Sequence, residues 1–337
     1  MVLNPAPEAN ALLPEQNREG GLTQDWAGND QQWWDWYVTL AANDASDAND
    51  AGADRAPLVE GPGLPDVAPA DDEALVAALA EPYVLRDEQV AAFRAESFVK
   101  LPGVLPPAVV RRLAERLDVL LRAEHGNDTA GRFTALEQMW RADPLMRAVA
   151  LSRRIGDIAS ALVGADVRIY HDNALSKEPG CGRTPWHHDA EHFPLATLKA
   201  VTAWMPMSAV PTPMGPLSFA QGEDLRPVLD GLHFDRVGTS YDRAVTERFA
   251  AAHVRVVDSA YGVGDVSFHG ALCFHTVGGN RTTQPRRALA TTYYADGARV
   301  VDSPTLISGT WREFLPGVQP GEVAATELNP VVGRLLD

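Results

Sequence analysis

The regular pattern of the chain changes at Gly164, from helical segments to short strands. Residues 86–95 have a helical pattern, Pro106 opens an amphipathic helix that runs to about Arg122, and a further helix is predicted over 153–163. After Gly164, Gly, Pro and Asn separate short segments rich in β-branched and aromatic residues. This order predicts an α+β fold with a mainly β core: a double-stranded β-helix (jelly-roll or cupin-like) barrel with a helical buttress on one side.

Six segments are predicted to be strands, and SFVKLPG from Ser97 is the one that precedes the long helix. The other five are DVRIYHDNALSK from Asp166, LKAVTAWMPMSAV from Leu198, GPLSFA from Gly215, GDVSFHGALCFH from Gly264 and RRALATTYYAD from Arg286. Residues two apart in such a segment point to the same face of a sheet.

An acidic region precedes the predicted barrel. Residues 1–72 contain 14 Asp and Glu but two Arg, and QDWAGNDQQWWDWY from Gln24 holds four of the eight Trp of the chain. Because indole rings are stabilised by burial, we expect this segment to dock on the main domain through a flexible linker over 43–72, with a partner-binding motif as the alternative. The sequence predicts an extension and linker over 1–72 and one domain over 73–337, in which an insertion at about 223–260 covers the mouth of the site.

The composition excludes several classes of protein. The chain has 29 Lys and Arg against 45 Asp and Glu, a net charge of −16 that would repel nucleic acid and anionic membranes. Its two cysteines, Cys181 and Cys273, form no CxxC, so neither a disulfide framework nor a cysteine-rich zinc site is expected. We find no export signal and no apolar run of about 18 residues. A cytoplasmic protein is expected, either a monomer or a homo-oligomer.

A candidate metal site begins in the segment TPWHHDAEHFP. In extended backbone His187 and Asp189 project from one face, so one strand can supply an imidazole and a carboxylate. His275 is the candidate third ligand, although His269, six residues earlier, shares its face in an extended strand. Two histidines and one carboxylate leave three positions of an octahedron open for a 2-oxo acid and O2, which suits Fe(II).

Further residues make this pattern specific. They are Lys177-Glu178-Pro179-Gly180 before the metal segment, His192-Phe193-Pro194 within it, Ala203-Trp204, the GPL at 215–217, and Asn280 and Arg286, five and eleven residues after His275. With them the chain resembles the phytanoyl-CoA dioxygenase family over about residues 84–330. His269 has Asn280, not Arg, eleven residues after it, so the family spacing favours His275 as the ligand.

The resemblance implies a dioxygenase that uses Fe(II), 2-oxoglutarate and O2. Its iron ligands would be His187, Asp189 and His275, and Arg286 would bind the distal carboxylate of 2-oxoglutarate. Arg286 and Arg287 must point to opposite faces of their strand, and the inward one needs a carboxylate partner, because an unpaired buried cation is costly.

Four further side chains are candidates for the cosubstrate and substrate pockets. By resemblance, His171 and Asn173 lie on the strand face that approaches the iron-chelating carboxylate of 2-oxoglutarate, although both could be ordinary strand positions. The family often has Ser or Thr where this chain has Val277, so Thr202 could supply the missing hydrogen bond to the cosubstrate. Trp204 is either a core residue or a wall of the pocket.

The implied reaction is oxidation, most simply hydroxylation, of an unactivated C–H bond of a small molecule, with release of succinate and CO2. A secondary metabolite is the expected substrate class, and His192 is a candidate to contact it. Desaturation, epoxidation and ring closure stay open, because the ligands do not distinguish these outcomes.

Three other functions are weighed against this one. H-x-x-E-H at 188–192 is a zinc-peptidase motif, but it requires a helix, and Pro185 and Pro194 leave little room for one. A non-catalytic metal-binding jelly-roll protein would not need Arg286 at the family spacing. Halogenases of this chemistry have Gly or Ala at the carboxylate position, where this chain has Asp189.

Deletion of residues 1–40 tests the docking of the Trp-rich segment. We expect a lower melting temperature or aggregation, since burial of even two aromatic side chains contributes several kcal/mol at about 25 cal/mol per Å². Thermal unfolding and light scattering of the full-length and truncated proteins measure this. Unchanged melting temperature, solubility and turnover would instead identify the tryptophans as a motif for another partner.

Overall fold

The computed structural model describes residues 57–232, 240–304 and 311–335. The Trp-rich segment and the linker up to residue 56 lie outside the described residues, as do residues 233–239 of the predicted insertion. The docking of that segment and the division into an extension and a domain therefore stay predictions. Among the described helices, none combines the length and apolar character needed to cross a membrane.

Eight helices and eleven strands make up the described part, besides short 3-10 turns. The helices are α1 (Asp72–Ala80), α2 (Asp87–Glu96), α3 (Pro107–His125), α4 (Met139–Ala142), α5 (Pro144–Ala150), α6 (Arg153–Val163), α7 (Ser240–Ala251) and α8 (Trp311–Phe314). The strands are β1 (Phe98–Leu101), β2 (Phe133–Glu137), β3 (Val167–Lys177), β4 (Thr184–His187), β5 (Ala200–Pro206), β6 (Leu217–Ala220), β7 (Val256–Asp258), β8 (Val266–Gly270), β9 (His275–Val277), β10 (Arg286–Ala295) and β11 (Val331–Gly333).

The strands form two sheets. The large sheet has the order β1-β8-β5-β10-β3-β11, with β2 also paired to β3, and the small sheet has the order β4-β9-β6-β7. All of these strand pairs are antiparallel. Between β3 and β10 the chain passes repeatedly from one sheet to the other, and the two antiparallel sheets form the jelly roll that the sequence predicts.

One predicted strand is in fact two. GDVSFHGALCFH was expected to be a single extended strand with His269 and His275 on one face. Instead a turn, in which the amide of Cys273 donates to the carbonyl of Gly270 over 2.9 Å, divides it into β8 and β9. These two strands belong to opposite sheets, so the two histidines approach each other across the interior of the barrel.

The helical buttress packs on the large sheet. Helix α3 buries Val109, Leu113, Leu117 and Leu121, whose spacing of four residues places them on one face. These side chains join one apolar cluster with residues of α6 and of the large sheet, such as Phe268. A second apolar cluster joins the two sheets, with Phe98 and Trp204 of the large sheet and Phe219 of the small sheet, so polar side chains occupy only part of the interior between them.

The predicted insertion contributes a helix and a strand to the fold. Strand β7 pairs with β6, which extends the small sheet into the segment expected to lie outside it. Helix α7 contacts β4: the carboxylate of Asp242 accepts a hydrogen bond from the amide of Trp186 over 2.8 Å and pairs with Arg183 over 3.0 Å. The ring of Phe249 meets that of Trp186 edge to face, with centroids 5.3 Å apart. The inserted helix therefore supports the strand that carries His187.

Substitution of Gly215 tests how closely its loop packs against the loop that contains Gly278. Its φ is +75°, and an added Cβ would lie 2.2 Å from the carbonyl oxygen of Gly278. Gly215→Ala should lower the melting temperature more than Gly231→Ala, because Gly231 has the same φ but no atom within 4 Å of an added Cβ. The control carries only the left-handed backbone cost, about 1 to 2 kcal/mol. Equal effects in thermal unfolding would show that the loop yields without cost.

Candidate metal centre

The three predicted metal ligands converge at one place. His187 ends β4, Asp189 begins the 3-10 turn Asp189–Glu191, and His275 begins β9 directly opposite His187 in the strand pairing. One donor atom from each residue can be chosen so that all lie within 4.8 Å of one another. Donor atoms this close together could bind one metal ion.

His187 and His275 both hold Nδ1 at a backbone carbonyl, which leaves Nε2 of each ring available for a metal. Nδ1 of His187 lies 2.9 Å from the carbonyl of Pro185, and Nδ1 of His275 lies 2.9 Å from the carbonyl of Cys273. Because a carbonyl only accepts, each Nδ1 carries the proton and each Nε2 keeps its lone pair for a metal. Burial lowers the pKa of both rings, that of His275 well below its usual range, which favours the neutral, metal-binding form.

The two oxygens of Asp189 have different surroundings. Oδ1 lies 3.8 Å from Nε2 of His275, whereas Oδ2 accepts a hydrogen bond from Thr202 over 2.8 Å and lies 3.2 Å from Nε2 of His269. Burial would raise the pKa of the Asp189 carboxyl. The hydrogen bond from His269 holds that pKa well below its usual range, so the group is ionised.

Two predicted cosubstrate residues lie on β3 with unsatisfied polar atoms. Nδ1 of His171 and Oδ1 of Asn173 are buried and have no hydrogen-bond partner within the described ranges. Burial lowers the pKa of His171 to about 4. Since buried polar atoms are seldom left unpaired, both atoms fit contact with a small polar ligand. The hydroxyl of Thr202 is instead engaged by Asp189 and Thr292. The cosubstrate roles of all three side chains stay predictions.

The adjacent arginines point to opposite sides of β10. Arg287 pairs with Asp118 of α3 over 2.7 Å. Arg286 is fully buried, donates from Nη1 to the carbonyl of Gly215 over 2.9 Å and lies with its guanidinium carbon 5.4 Å from the ring of Trp204. Its Nε has no partner in the part of the chain that is described, and burial lowers its pKa to about 10. The inward arginine is therefore a buried cation for which no described residue supplies a carboxylate partner.

Another basic side chain, Lys177, is fully buried beside the site, and no role for it was predicted from the sequence. Its ammonium group lies 2.6 Å from the carbonyl of Gly182 and 3.2 Å from that of Gly278, and burial lowers its pKa well below the usual range. The side-chain amide of Asn280 donates to the carbonyls of Lys177 and Gln284, each over 2.8 Å. Lys177 and Asn280 tie the loops next to β4 and β9 together. The Lys-x-Pro-Gly motif was the signal for Lys177.

Trp204 and His192 lie near the site. Trp204 is buried against Tyr261, with ring centroids 4.9 Å apart, and His192 is half-buried, with its ring centroid 6.2 Å from that of His187. Their substrate-binding roles stay predictions.

The zinc-peptidase alternative does not fit this geometry. The motif needs two histidines on one face of a helix, but residues 189–191 form a single 3-10 turn. His188 lies against Phe274, with ring centroids 4.8 Å apart, away from any helical pairing with His192.

Known structures have the same fold. A carbocyclase dependent on alpha ketoglutarate, SnoK from nogalamycin biosynthesis, is 25% identical with a TM-score of 0.62, over 75% of this chain and 99% of that chain. The epimerase SnoN, in complex with Fe3+, alpha ketoglutarate and nogalamycin RO, is 23% identical with a TM-score of 0.59, over 76% and 99%. EctD from S. alaskensis, with 2-oxoglutarate and 5-hydroxyectoine, is 18% identical with a TM-score of 0.57, over 80% and 94%.

A search of curated protein sequences found no match. The family model "Phytanoyl-CoA dioxygenase (PhyH)", in contrast, matches residues 93–288, which is more than half of the chain. This range contains the three converging side chains and Arg286. The chain therefore belongs to the phytanoyl-CoA dioxygenase family.

Proposed function

We propose that this protein is an Fe(II)- and 2-oxoglutarate-dependent dioxygenase. The observation that carries the proposal is the convergence of His187, Asp189 and His275, whose donor atoms, one from each residue, lie within 4.8 Å of one another. A set of two histidines and one carboxylate suits non-haem iron and leaves coordination positions open. When bound, iron and 2-oxoglutarate supply oxidation of the substrate by O2, with decarboxylation of the 2-oxo acid to succinate and CO2.

The chain also has the groups that a dicarboxylate cosubstrate needs. Arg286 offers a buried guanidinium with an unpartnered Nε, which fits the distal carboxylate of 2-oxoglutarate. Asn173 and His171 offer unpartnered atoms on the neighbouring strand, β3, and would contact the end of the molecule that binds iron. Trp204 lies over the guanidinium and shields it from water, which strengthens a charge pair formed there.

The reaction we propose is hydroxylation of an unactivated C–H bond of a small molecule, and the substrate class is a secondary metabolite. The likeness to SnoK, an enzyme of nogalamycin biosynthesis, supports this class. Because SnoK is a carbocyclase, ring closure is the second candidate reaction. His192, half-buried beside His187, would contact the substrate. In each reaction the side chains around the ligands would decide the outcome by where they hold the substrate carbon.

Loss of any one ligand should abolish turnover. We expect His187→Ala, Asp189→Ala and His275→Ala to eliminate iron-dependent formation of succinate from 2-oxoglutarate while the proteins stay folded, because two remaining ligands hold iron poorly. Succinate is quantified by mass spectrometry, and circular dichroism reports folding. His125→Ala, at the end of α3, is the matched control and should keep activity. Activity in His275→Ala would exclude that residue as a ligand.

Replacement of the inward arginine should affect the cosubstrate selectively. Arg286→Ala should raise the KM for 2-oxoglutarate roughly 30- to 1000-fold, since a buried bidentate charge pair contributes about 2 to 4 kcal/mol. Steady-state kinetics at varied 2-oxoglutarate measure this. Arg287→Ala, which loses the pair with Asp118, should lower the melting temperature and leave this KM unchanged. A larger change of KM in Arg287→Ala would assign the cosubstrate to the other face of β10.

A further inference from the structure

His269 lies beside the three converging ligands without being one of them. It belongs to β8 of the large sheet, directly opposite Thr202 of β5 in the strand pairing. Its side chain is 3% exposed, and its ring centroid is 4.4 Å from that of His275. The group of donors that could share a metal contains His187, Asp189 and His275 but not His269.

The polar contact of His269 is with the oxygen of Asp189 that faces away from His275. Nε2 of His269 lies 3.2 Å from Oδ2, and the hydroxyl of Thr202 donates to the same oxygen over 2.8 Å. An ionised carboxylate only accepts hydrogen bonds, so both partners are donors and Nε2 of His269 carries a proton. That nitrogen has no lone pair for a metal in this arrangement, and Oδ2 already has two donors.

We propose that His269 is a positioning residue which, together with Thr202, holds Oδ2 of Asp189 so that the carboxylate binds iron through Oδ1 alone. A carboxylate that binds through both oxygens would occupy one of the three positions that the 2-oxo acid and O2 require. Two donors on Oδ2 oppose this, because a metal at that oxygen would displace their hydrogen bonds. The inference rests on the proposed function, since it takes Asp189 to be an iron ligand.

Packing does not account for an imidazole at this position. Nδ1 of His269 is buried and has no hydrogen-bond partner among the residues that the structure describes, an arrangement that costs free energy. The ring lies next to His275 and, with centroids 5.8 Å apart, Phe219. A phenylalanine could fill the same space without an unsatisfied nitrogen. The contact that only a donor can make is the one with Asp189.

Binding of Co(II) to the full-length protein tests the proposal without turnover. Co(II) replaces Fe(II) in such sites, and its visible absorption responds to coordination number. We expect His269→Phe to weaken Co(II) binding about 10- to 100-fold, the range typical for loss of a group that supports a metal ligand, and to change the spectrum. His269→Gln keeps a donor in reach of Oδ2 and should recover most of both properties. Thr202→Val should weaken binding in the same direction.

Ser267→Ala is the matched control. Ser267 is a buried polar residue two positions before His269 on β8. Its hydroxyl accepts a hydrogen bond from the hydroxyl of Tyr261 over 3.0 Å and makes none with Asp189 among the described contacts. We expect its Co(II) affinity and spectrum to equal those of the wild type. If buried polar residues on β8 had a purely structural role, Ser267→Ala and His269→Phe would weaken Co(II) binding alike. His269→Gln would then fail to recover the affinity and the spectrum.

The outcomes separate this inference from the proposed function. A wild-type protein that binds no Co(II) at these residues would overturn the proposed function, and the inference with it. Wild-type binding with unchanged affinity and spectrum in His269→Phe would overturn the inference alone. Complete loss of Co(II) in both His269→Phe and His269→Gln would make His269 itself a ligand, which also contradicts a positioning role.

Discussion

The pairing of β4 with β9 is the constraint on which the site depends. It places His187 directly opposite His275, and the turn after β4 brings Asp189 beside them. These two strands have only four and three residues, so neighbouring groups must hold them. The ammonium group of Lys177 binds carbonyls on both adjoining loops, and Asp242 of α7 binds the amide next to His187. The geometry of the three candidate ligands is thus set by the small sheet and its supports, and the large sheet supplies Thr202 and His269 beside Asp189.

Charge is distributed unevenly across the barrel interior. The ionised carboxylate of Asp189 lies among imidazoles that burial keeps neutral, a set that gains from a bound cation. At the start of β10, the buried cation of Arg286 has no carboxylate partner in the described part of the chain and gains from a bound anion. The proposed cosubstrate, 2-oxoglutarate, has one end that chelates a metal and a carboxylate at the other, and would satisfy both. These buried charged groups therefore cost stability that the proposed iron and 2-oxoglutarate would restore.

Much of the architecture could be predicted from the sequence, because helix boundaries and short strands have local signals. Pro106 and Gly164 mark helix ends where the structure has them, and the resemblance to the family already implied that His187, Asp189 and His275 share a site. What the sequence did not predict depends on contacts between distant segments. His269 was expected on the same strand as His275, whereas a turn places it in the other sheet, where its pairing with β5 and not its spacing decides what it contacts. Only tertiary structure could have shown that two donors meet on one carboxylate oxygen.

Anomalous diffraction from crystals grown anaerobically with Fe(II) would test the central claim most directly. The account predicts one iron peak bonded to Nε2 of His187, Nε2 of His275 and Oδ1 of Asp189, with Oδ2 still accepting from Thr202 and His269. An iron peak bonded to His269 in place of His275, or one bonded to neither, would contradict it.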